Sequence, residues 1–502
     1  MSISWTWDLE AKISGVWTSI AEDVMWHKNP ITASRGISGS GIADRVAQPG
    51  SLTATLDNGE SNSAGLLGYY ASDHTNMRAN FGRNTEIRLS ITYAGDTRYI
   101  WKGYITDLAP AAGRYRERES YLSATDFIQS MAEHKLSLIP VQESQRSDQV
   151  LQTVLDNMTV APATTSLEAD KFSLGYSLAS ERDEATTALS VAQKVCQTVL
   201  AYFFVRGNTT NGESVVFQRE ETRCMQTSAA TLSDTMSTLR ISRPTDEIKN
   251  RVNGLVHPVK VDPDATTLLY QLDNEIFIDG GDTQTVTFKF RDPANQAARI
   301  SAKDVVTPLS ANTHYRMSAY ANVIDGDLNA SLTITPTVGA NAIEAVLHNT
   351  AGMRGFINFI NIFGRGIYYY NPVELSVESG AGDKPVSYDF FYLSDVYRAK
   401  AFLTALHYRV STEITHVNRV SFLADVDSTL MGYAMNVDIG DRVTIVESAT
   451  GLNNDYTINK VTYTIQINGT LSVEWELEPA DTHNYFILDS SLLDGTDVLS
   501  PY

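Results

Sequence analysis

Between Ile31 and Asp126 apolar side chains fall on every second position, in short runs broken by glycine and asparagine. Ser51-Leu52-Thr53-Ala54-Thr55-Leu56 leads into Asp57-Asn58-Gly59. Glu86-Ile87-Arg88-Leu89-Ser90-Ile91-Thr92-Tyr93 passes through the Ala94-Gly95-Asp96 turn into Arg98-Tyr99-Ile100-Trp101-Lys102-Gly103-Tyr104-Ile105. A period of two buries one face of a strand and wets the other, so this region reads as a β-domain containing an antiparallel hairpin. After Ser147 the period lengthens. Val150, Leu151, Val154, Leu155 and Met158 recur at helical spacing behind Ser147 as N-cap, and Ala185, Ala188, Leu189, Ala192, Val195, Cys196 and Val199 do so over a longer stretch. The second helix runs into Ala201-Tyr202-Phe203-Phe204-Val205, a polar turn over 207–212, and Ser214-Val215-Val216-Phe217: a helix feeding a hairpin, hence an α+β segment.

Strands return between about Val256 and Pro385, where Val286, Phe288 and Phe290 alternate and Leu332 and Ile334 do likewise, with almost no helical signal. This span reads as a β-sandwich inserted into the chain, because one more helix and a strand-rich end follow it. In that helix Ser394 is the expected N-cap, and Val396, Ala399, Phe402, Leu403 and Leu406 share a face. Alternation is then sustained from Val410 to Trp475, through Arg442–Val446, Thr457–Val461, Thr464–Ile467, the Asn468-Gly469 hairpin signal and Leu471–Trp475. The expected class is mainly β with α+β segments: two tube-like β-barrel domains, an α/β segment and an inserted β-sandwich. The expected divisions are an N-terminal β-domain over 1–140, an α+β segment over 141–255, the sandwich over 256–385, a helix plus C-terminal β-domain over 386–485, and a tail over 486–502.

At 502 residues the chain is too long for a single core. Its 59 acidic and 39 basic residues leave a net charge of −20, which repels phosphates over most of the surface and argues against sequence-specific nucleic acid binding. Two cysteines, Cys196 and Cys224, make neither a disulfide framework nor a CxxC zinc site. The N-terminus lacks the basic residues and apolar run of a signal peptide, and no stretch of about 18 apolar residues occurs, so synthesis as a soluble cytoplasmic protein is expected.

Motifs that invite chemistry have plainer explanations. Gly36-Ile37-Ser38-Gly39-Ser40-Gly41 has Asp44 where the last glycine of a GxGxxG belongs, no P-loop lysine, and no serine flanked by glycines two residues away on both sides; it reads as a strand-linking loop. No HExxH occurs, and His407 and His416 sit nine apart across a helix end. Asp279-Gly280-Gly281-Asp282, Asp325-Gly326-Asp327 and Asp425-Val426-Asp427 each offer two carboxylates, yet none continues into a calcium loop, so acidic turns are expected. In Tyr368-Tyr369-Tyr370 at most two rings share a face of a strand, leaving one for a sugar if the rest are core. Cys196 belongs on the apolar side of its helix. No catalytic, cofactor-binding or metal-ligating residue is assigned, and no cofactor.

The run Gln48-Pro49-Gly50-Ser51-Leu52-Thr53-Ala54-Thr55-Leu56-Asp57-Asn58, then Arg98–Ile105, then Ser123-Ala124-Thr125-Asp126-Phe127 resembles the opening domain of tailed-bacteriophage baseplate hub, or tail-tip, proteins. The helix from Ala185 to Leu200 with its hairpin, Asp246-Glu247-Ile248-Lys249-Asn250-Arg251-Val252, Ile439-Gly440-Asp441-Arg442-Val443, Val461-Thr462-Tyr463 and Trp475-Glu476-Leu477-Glu478-Pro479-Ala480 are similar to that family in the same order. The segment over 256–385 departs from the compact hub pattern and resembles the peripheral sandwiches some hubs carry. The resemblance implies a non-enzymatic virion protein at the tail tip, made in the host bacterial cytoplasm. It implies a homotrimer whose chains each supply two tube-like β-domains. The hub would contact a distal tail protein or tail tube hexamer, a tape measure protein and a tail fibre or spike, and let genomic DNA pass. A carboxylate-lined lumen would keep that DNA from sticking, although surface solubility accounts for the same charge. Trimer contacts are expected from strand residues such as Phe356-Ile357-Asn358-Phe359-Ile360. Two rival readings remain at this stage: a glycan-binding receptor-recognition tail protein, using the sandwich, and a tail-associated cell-wall hydrolase.

Overall fold

The computed structural model describes residues 3–39, 41–111, 118–179, 186–242, 248–307, 309–321, 325–380, 384–411 and 415–480. The chain is mainly β with α+β segments. It opens with β1 (Trp5–Ile13), β2 (Val16–Ser19), β3 (Ile31–Gly36), β4 (Gln48–Asp57), β5 (Glu86–Tyr93), β6 (Asp96–Pro110), β7 (Glu119–Thr125) and α1 (Phe127–Glu133). Next come β8 (Gln142–Arg146), α2 (Ser147–Asp156), β9 (Thr165–Leu167), β10 (Ser173–Ser177), α3 (Ala188–Val199), β11 (Tyr202–Arg206), β12 (Ser214–Gln218), α4 (Glu220–Cys224), β13 (Ala230–Ser233) and β14 (Thr238–Ser242). The helices pack where their period predicts: Val150, Leu151, Val154 and Leu155 of α2, and Val191, Ala192, Val195 and Cys196 of α3, are buried in the core shared with the β-sheet. Ser147 is the first helical residue rather than the cap. Arg146 holds the N-cap position, and the Ser147 hydroxyl donates instead to Asp170.

β15 (Arg251–Val256) then leads into the strands of the excursion: β16 (Val259–Val261), β17 (Thr267–Gln271), β18 (Ile276–Ile278), β19 (Thr283–Lys289), β20 (Arg291–Asp292), β21 (Asn295–Arg299), β22 (Ser301–Lys303), β23 (Tyr315–Ser318), β24 (Leu332–Val338), β25 (Ala342–Asn349) and β26 (Gly355–Tyr369). The long β26 is paired along its length by β16, β17, β18, β22 and β23, while β19, β25 and β24 form a second sheet. Their inner faces share a separate core containing Phe288, Phe290, Met317, Ile343, Leu347, Ile357, Ile360 and Ile362. Ile357 and Ile360, expected at a trimer contact, are therefore spent on this sandwich's own interior. The excursion returns through β27 (Val373–Glu378) and β28 (Pro385–Phe390), which flank β15 and so hold its entry and exit side by side.

That small sheet packs on α5 (Val396–Ser411), whose Ala399, Phe402, Leu403 and Leu406 are buried against Val252, Val256, Tyr388 and Phe390. The cap of α5 is Asp395, not Ser394: its Oδ1 accepts the N–H of Tyr397 and of Arg398 at 2.9 and 3.3 Å. The chain ends with β29 (His416–Leu423), α6 (Ser428–Asn436), β30 (Arg442–Glu447), β31 (Leu452–Ile465) and β32 (Leu471–Pro479). Two runs expected as separate strands, Thr457–Val461 and Thr464–Ile467, belong mostly to the single β31. The Asn468-Gly469 hairpin joins β31 to β32. α6 interrupts the alternation, and Asp427 caps it by accepting the N–H of Thr429 and Leu430 at 2.8 and 2.9 Å.

Candidate functional site

The two ends of the chain share one plan. In the N-terminal unit the strands lie in the order β3-β4-β7-β6-β5; in the C-terminal unit they lie in the order β14-β29-β32-β31-β30. Every neighbouring pair in both is antiparallel. The match descends to single residues. β6 steps over one residue against β7 between Ile105 and Asp107, and β31 does so against β32 between Ile458 and Lys460. Just before each bulge the same backbone exchange occurs. Asn84 N–H donates to Ile105 O at 2.7 Å and Ile105 N–H to Thr85 O at 3.0 Å; Gly440 N–H donates to Ile458 O at 2.8 Å and Ile458 N–H to Asp441 O at 3.0 Å. Asn84 and Gly440 both take positive φ, 66° and 84°, as a tight turn into a strand requires. Asn84 thus stands for Gly440, Ile105 for Ile458, Leu122 for Trp475 and Ala54 for Val420.

The units meet edge to edge. Ile31 to Gly36 of β3 pair with Ile465 to Lys460 of β31, so both halves belong to one continuous sheet. Across this seam the core face is apolar: Ile105, Ala124, Leu52, Ala33, Tyr463 and Val473 follow one another and are all buried. The opposite face carries hydroxyls. One row reads Ser123, Thr53, Thr32, Thr464 and Ser472; the next reads Thr125, Ser51, Ser34 and Thr462. All nine are exposed or half-buried, and the Ser34 and Ser51 hydroxyls meet at 3.1 Å. Within these two rows charge appears only at the borders, with Asp107 beside the first and Glu474 beside the second; the next row of the same face carries Lys460, Glu476 and Arg419.

Buried ion pairs lock the seam from the core side. Arg35 of β3 reaches Asp438, in the turn before β30, at 2.6 Å, with both side chains almost wholly buried. Gly207 N–H donates to the same carboxylate at 3.1 Å, and Arg98 of β6 donates to Gly207 O at 3.0 Å, so the α+β segment is stitched into the junction. Burial alone would raise the Asp438 carboxyl, but Arg35 and Arg206 outweigh it and hold the group below the ordinary carboxylate range. A second cluster ties β31 and β32 to the helices. Glu220 accepts from Arg45 at 2.5 Å and Arg409 at 3.0 Å, Glu478 accepts from Arg223 at 3.3 Å and Asn459 at 3.0 Å, and Arg409 also pairs with Glu478. Burial pushes Glu220 up, and the two arginines overcome it, bringing the carboxyl down to about 2. In the N-terminal unit Asp126 caps α1 through the Ile128 N–H at 3.1 Å, yet burial dominates there and lifts its carboxyl to about 7.

The motifs weighed in the sequence are dispersed rather than gathered. Gly41 N–H bonds Asp44 Oδ2 at 2.9 Å, which closes the glycine-rich loop on itself; Ser40 lies outside the described residues. His407 is buried on α5, with Nε2 3.1 Å from Ser379 Oγ and 3.2 Å from Asn250 O; His416 lies at the start of β29. Asp279 pairs with Arg354 at 2.5 Å, and Asp427 is spent as a helix cap. Tyr368 donates to Asp262 at 3.0 Å and Tyr370 is exposed. Among the described residues no three His, Cys, Asp or Glu side chains gather at metal-binding distance. The sequence reading missed the hydroxyl rows and the Arg35–Asp438 clamp. Serine and threonine at alternate positions of β3, β4, β7, β31 and β32 were the available signal for the first; nothing local announces the second, whose partners are separated by 403 residues.

No family model matches the sequence, and no curated relative does. Among solved structures the chain is similar to the 43 kDa tail protein of prophage MuSo2 from Shewanella oneidensis, at 10% identity and TM-score 0.48 over 94% of this chain and 98% of that one. It is similar to a tail protein from Neisseria meningitidis, at 8% identity and TM-score 0.47 over 94% and 96%. It is also similar to prophage tail protein gp18 from Listeria monocytogenes, at 9% identity and TM-score 0.41 over 93% and 94%.

Proposed function

We propose that this chain is a structural protein of a bacteriophage tail, acting as a trimeric hub at the distal end. Its two β-units serve as adjacent members of a six-membered ring. The observation that carries this reading is the internal duplication: one strand order, one bulge and one positive-φ turn, repeated at both ends of the chain and joined into one sheet. A chain that contains two like units can match a sixfold tube on one side while presenting threefold symmetry on the other. The motifs that resemble tail hubs lie in these same units and in the segment that clamps them.

On this reading the hydroxyl face lines the passage for DNA. Its middle rows hold no cation to bind phosphate, and the arginines of the seam point the other way, into the core, each neutralised by a carboxylate. A wall whose middle is uncharged hydroxyl lets a polyanion slide, and the Lys460 and Arg419 side chains of the next row pair with Glu476 rather than stand free for phosphate. Neighbours would be the distal tail protein or tube hexamer, the tape measure protein and a fibre or spike, and the chemistry is mechanical rather than enzymatic. The test is the mass of the purified protein in solution together with negative-stain images. Trimers with a central channel support the proposal. A monomer that never forms rings, alone or with other tail proteins, refutes it.

A further inference from the structure

Asparagine followed by glycine can modify itself. The glycine nitrogen, unhindered by a Cβ, attacks the asparagine Cγ; an N–Cγ bond forms, ammonia leaves with the proton of the glycine N–H, and the succinimide takes up one water to give an aspartyl or isoaspartyl residue. Four such steps occur in the chain: Asn58-Gly59, Asn211-Gly212, Asn253-Gly254 and Asn468-Gly469. The chemistry is the same at each, so the fold decides which can react. Three are held. Asn58 is 8% exposed; its N–H donates to Arg118 O at 2.8 Å, its Oδ1 accepts the Tyr70 N–H at 2.7 Å, and the Gly59 N–H is taken by Asp57 Oδ1 at 2.7 Å. Asn211 lies in a turn laid on β6. Gly212 is buried there, a Cβ on it would come within 3.1 Å of Trp101 O, and its N–H donates to Asn208 Oδ1 at 2.9 Å while Asn211 Oδ1 accepts from Glu213 N–H at 3.0 Å. Asn253 stands in β15 with a strand paired on either side and Gly254 buried against Leu403. At these three places nitrogen reaches Cγ only after bonds or packing in the interior are broken.

Asn468 is placed differently. It is exposed at the tip of the β31–β32 hairpin, where the atoms nearest to Gly469 are the edge of the Trp26 ring, 3.7 Å from the place a Cβ would take. Its Oδ1 accepts the Thr470 hydroxyl at 2.8 Å and the Thr470 N–H at 3.2 Å, which draws electron density from Cγ and favours attack there. The Gly469 N–H donates to Gln466 O at 2.9 Å, one bond at a surface chain reversal that frays without disturbing a core. We propose that Asn468 is a site of spontaneous modification, a deamidation that makes a neutral hairpin tip acidic. Its position gives the change a consequence. Gln466 N–H closes the turn on Thr470 O at 2.9 Å, and one residue further in Ile465 pairs with Leu471 on one side and with Ile31, the last rung of the seam between the units, on the other. The isoaspartyl product lengthens the main chain by one carbon inside that turn, so it loosens the end of the ladder that carries β3.

The test is incubation of the purified full-length chain at mildly alkaline pH, read over time by peptide mass spectrometry with fragmentation, beside the same chain unfolded in guanidinium chloride. Each deamidation adds one mass unit to the peptide that carries the site. Unfolded, the four asparagines should react at similar rates, because each is followed by glycine. Folded, Asn468 should react at least about tenfold faster than Asn58, Asn211 or Asn253, the factor set by one buried hydrogen bond that those sites must break and the hairpin tip need not. A folded chain that deamidates first at any of the other three overturns the proposal. So does an Asn468 that stays intact in the folded chain while all four react in denaturant.

Discussion

The N-terminal and C-terminal units follow the same strand path with different fittings, and the differences show which features the shared plan keeps. Both retain the strand order, the bulge in the long strand and the turn that enters its neighbour. Fillers vary. Where the C-terminal unit buries Trp475 against Phe422 with ring centroids 4.9 Å apart, the N-terminal unit buries Leu122 and Leu56. The connection between the second and third strands differs most. Residues 58–85 cross as turns pinned to the buried Asp23, whose carboxylate accepts from Ser63 and Tyr70, whereas the C-terminal unit crosses by α6. Backbone path is conserved where one unit must abut another, and side chains drift where each unit only has to fill itself.

The largest effect is expected at the clamp that holds the halves together. Arg35→Met leaves Asp438 buried without its main partner, a loss of about 3–5 kcal/mol, read as a fall in the urea midpoint. If instead the variant unfolds in two steps, the units are separately stable and the clamp merely docks them. Next comes a site one unit has and the other lacks. Asp126 follows β7, where the end of β32 has Pro479. Its carboxyl titrates near 7 when folded and near 3.9 unfolded, so the folded state holds the proton more tightly, and this group's contribution to stability is present below about pH 4 and lost as the pH rises to about 7. Asp126→Asn should abolish that slope, leaving the variant about 4 kcal/mol more stable than wild type at pH 8 and equal to it at pH 4. Parallel melting curves for both proteins from pH 4 to 8 would show the assignment is wrong.

A smaller effect distinguishes the matched turn residues. At Gly440 a Cβ would come within 2.6 Å of Gln218 Oε1 and 2.7 Å of Phe204 Cζ, in a backbone at φ 84°, so Gly440→Ala should cost roughly 2 kcal/mol. Asn84→Gly, at the equivalent place, should change the melting temperature little, since asparagine already tolerates that region. Equal losses at both positions would mean that the shared dihedral is incidental.

Strands, the two middle helices and the sandwich were legible in the sequence because each is written in a local period: Val286-Phe288-Phe290 for a strand, Ala188-Ala192 with Val195-Val199 for a helix. The duplication was expected only through the resemblance to tail hubs and not from any internal repeat of residues, because it is carried by backbone pairing. Ile105 and Ile458 correspond, but Leu122 and Trp475, or Asn84 and Gly440, share no identity by which to align them. The seam was invisible for a related reason. Ala33 and Tyr463 are ordinary strand residues until the chain brings β3 to β31, and Arg35 reads as a surface arginine until Asp438 arrives beside it. Ser394 and Ser147 were chosen as caps by residue type, while the helix starts were decided by Asp395 and by Arg146, one position away.

The smallest expected effect lies in the element that most separates the two units. α6 is held at its start by Asp427, whose carboxylate satisfies two backbone N–H groups that have no partner within the helix. Asp427→Ala should cost about 1 kcal/mol, and Asp427→Asn or Ser should restore most of it, since either side chain can accept the same bonds. The helix also packs Leu430, Met431 and Ala434 into the core, so capping adjusts its stability without deciding its existence. If the comparison between units is sound, this loss appears in melting temperature and leaves assembly untouched, because α6 replaces a connection that the other unit makes without a helix. A variant that keeps its stability yet no longer forms rings would place α6 at a contact between copies.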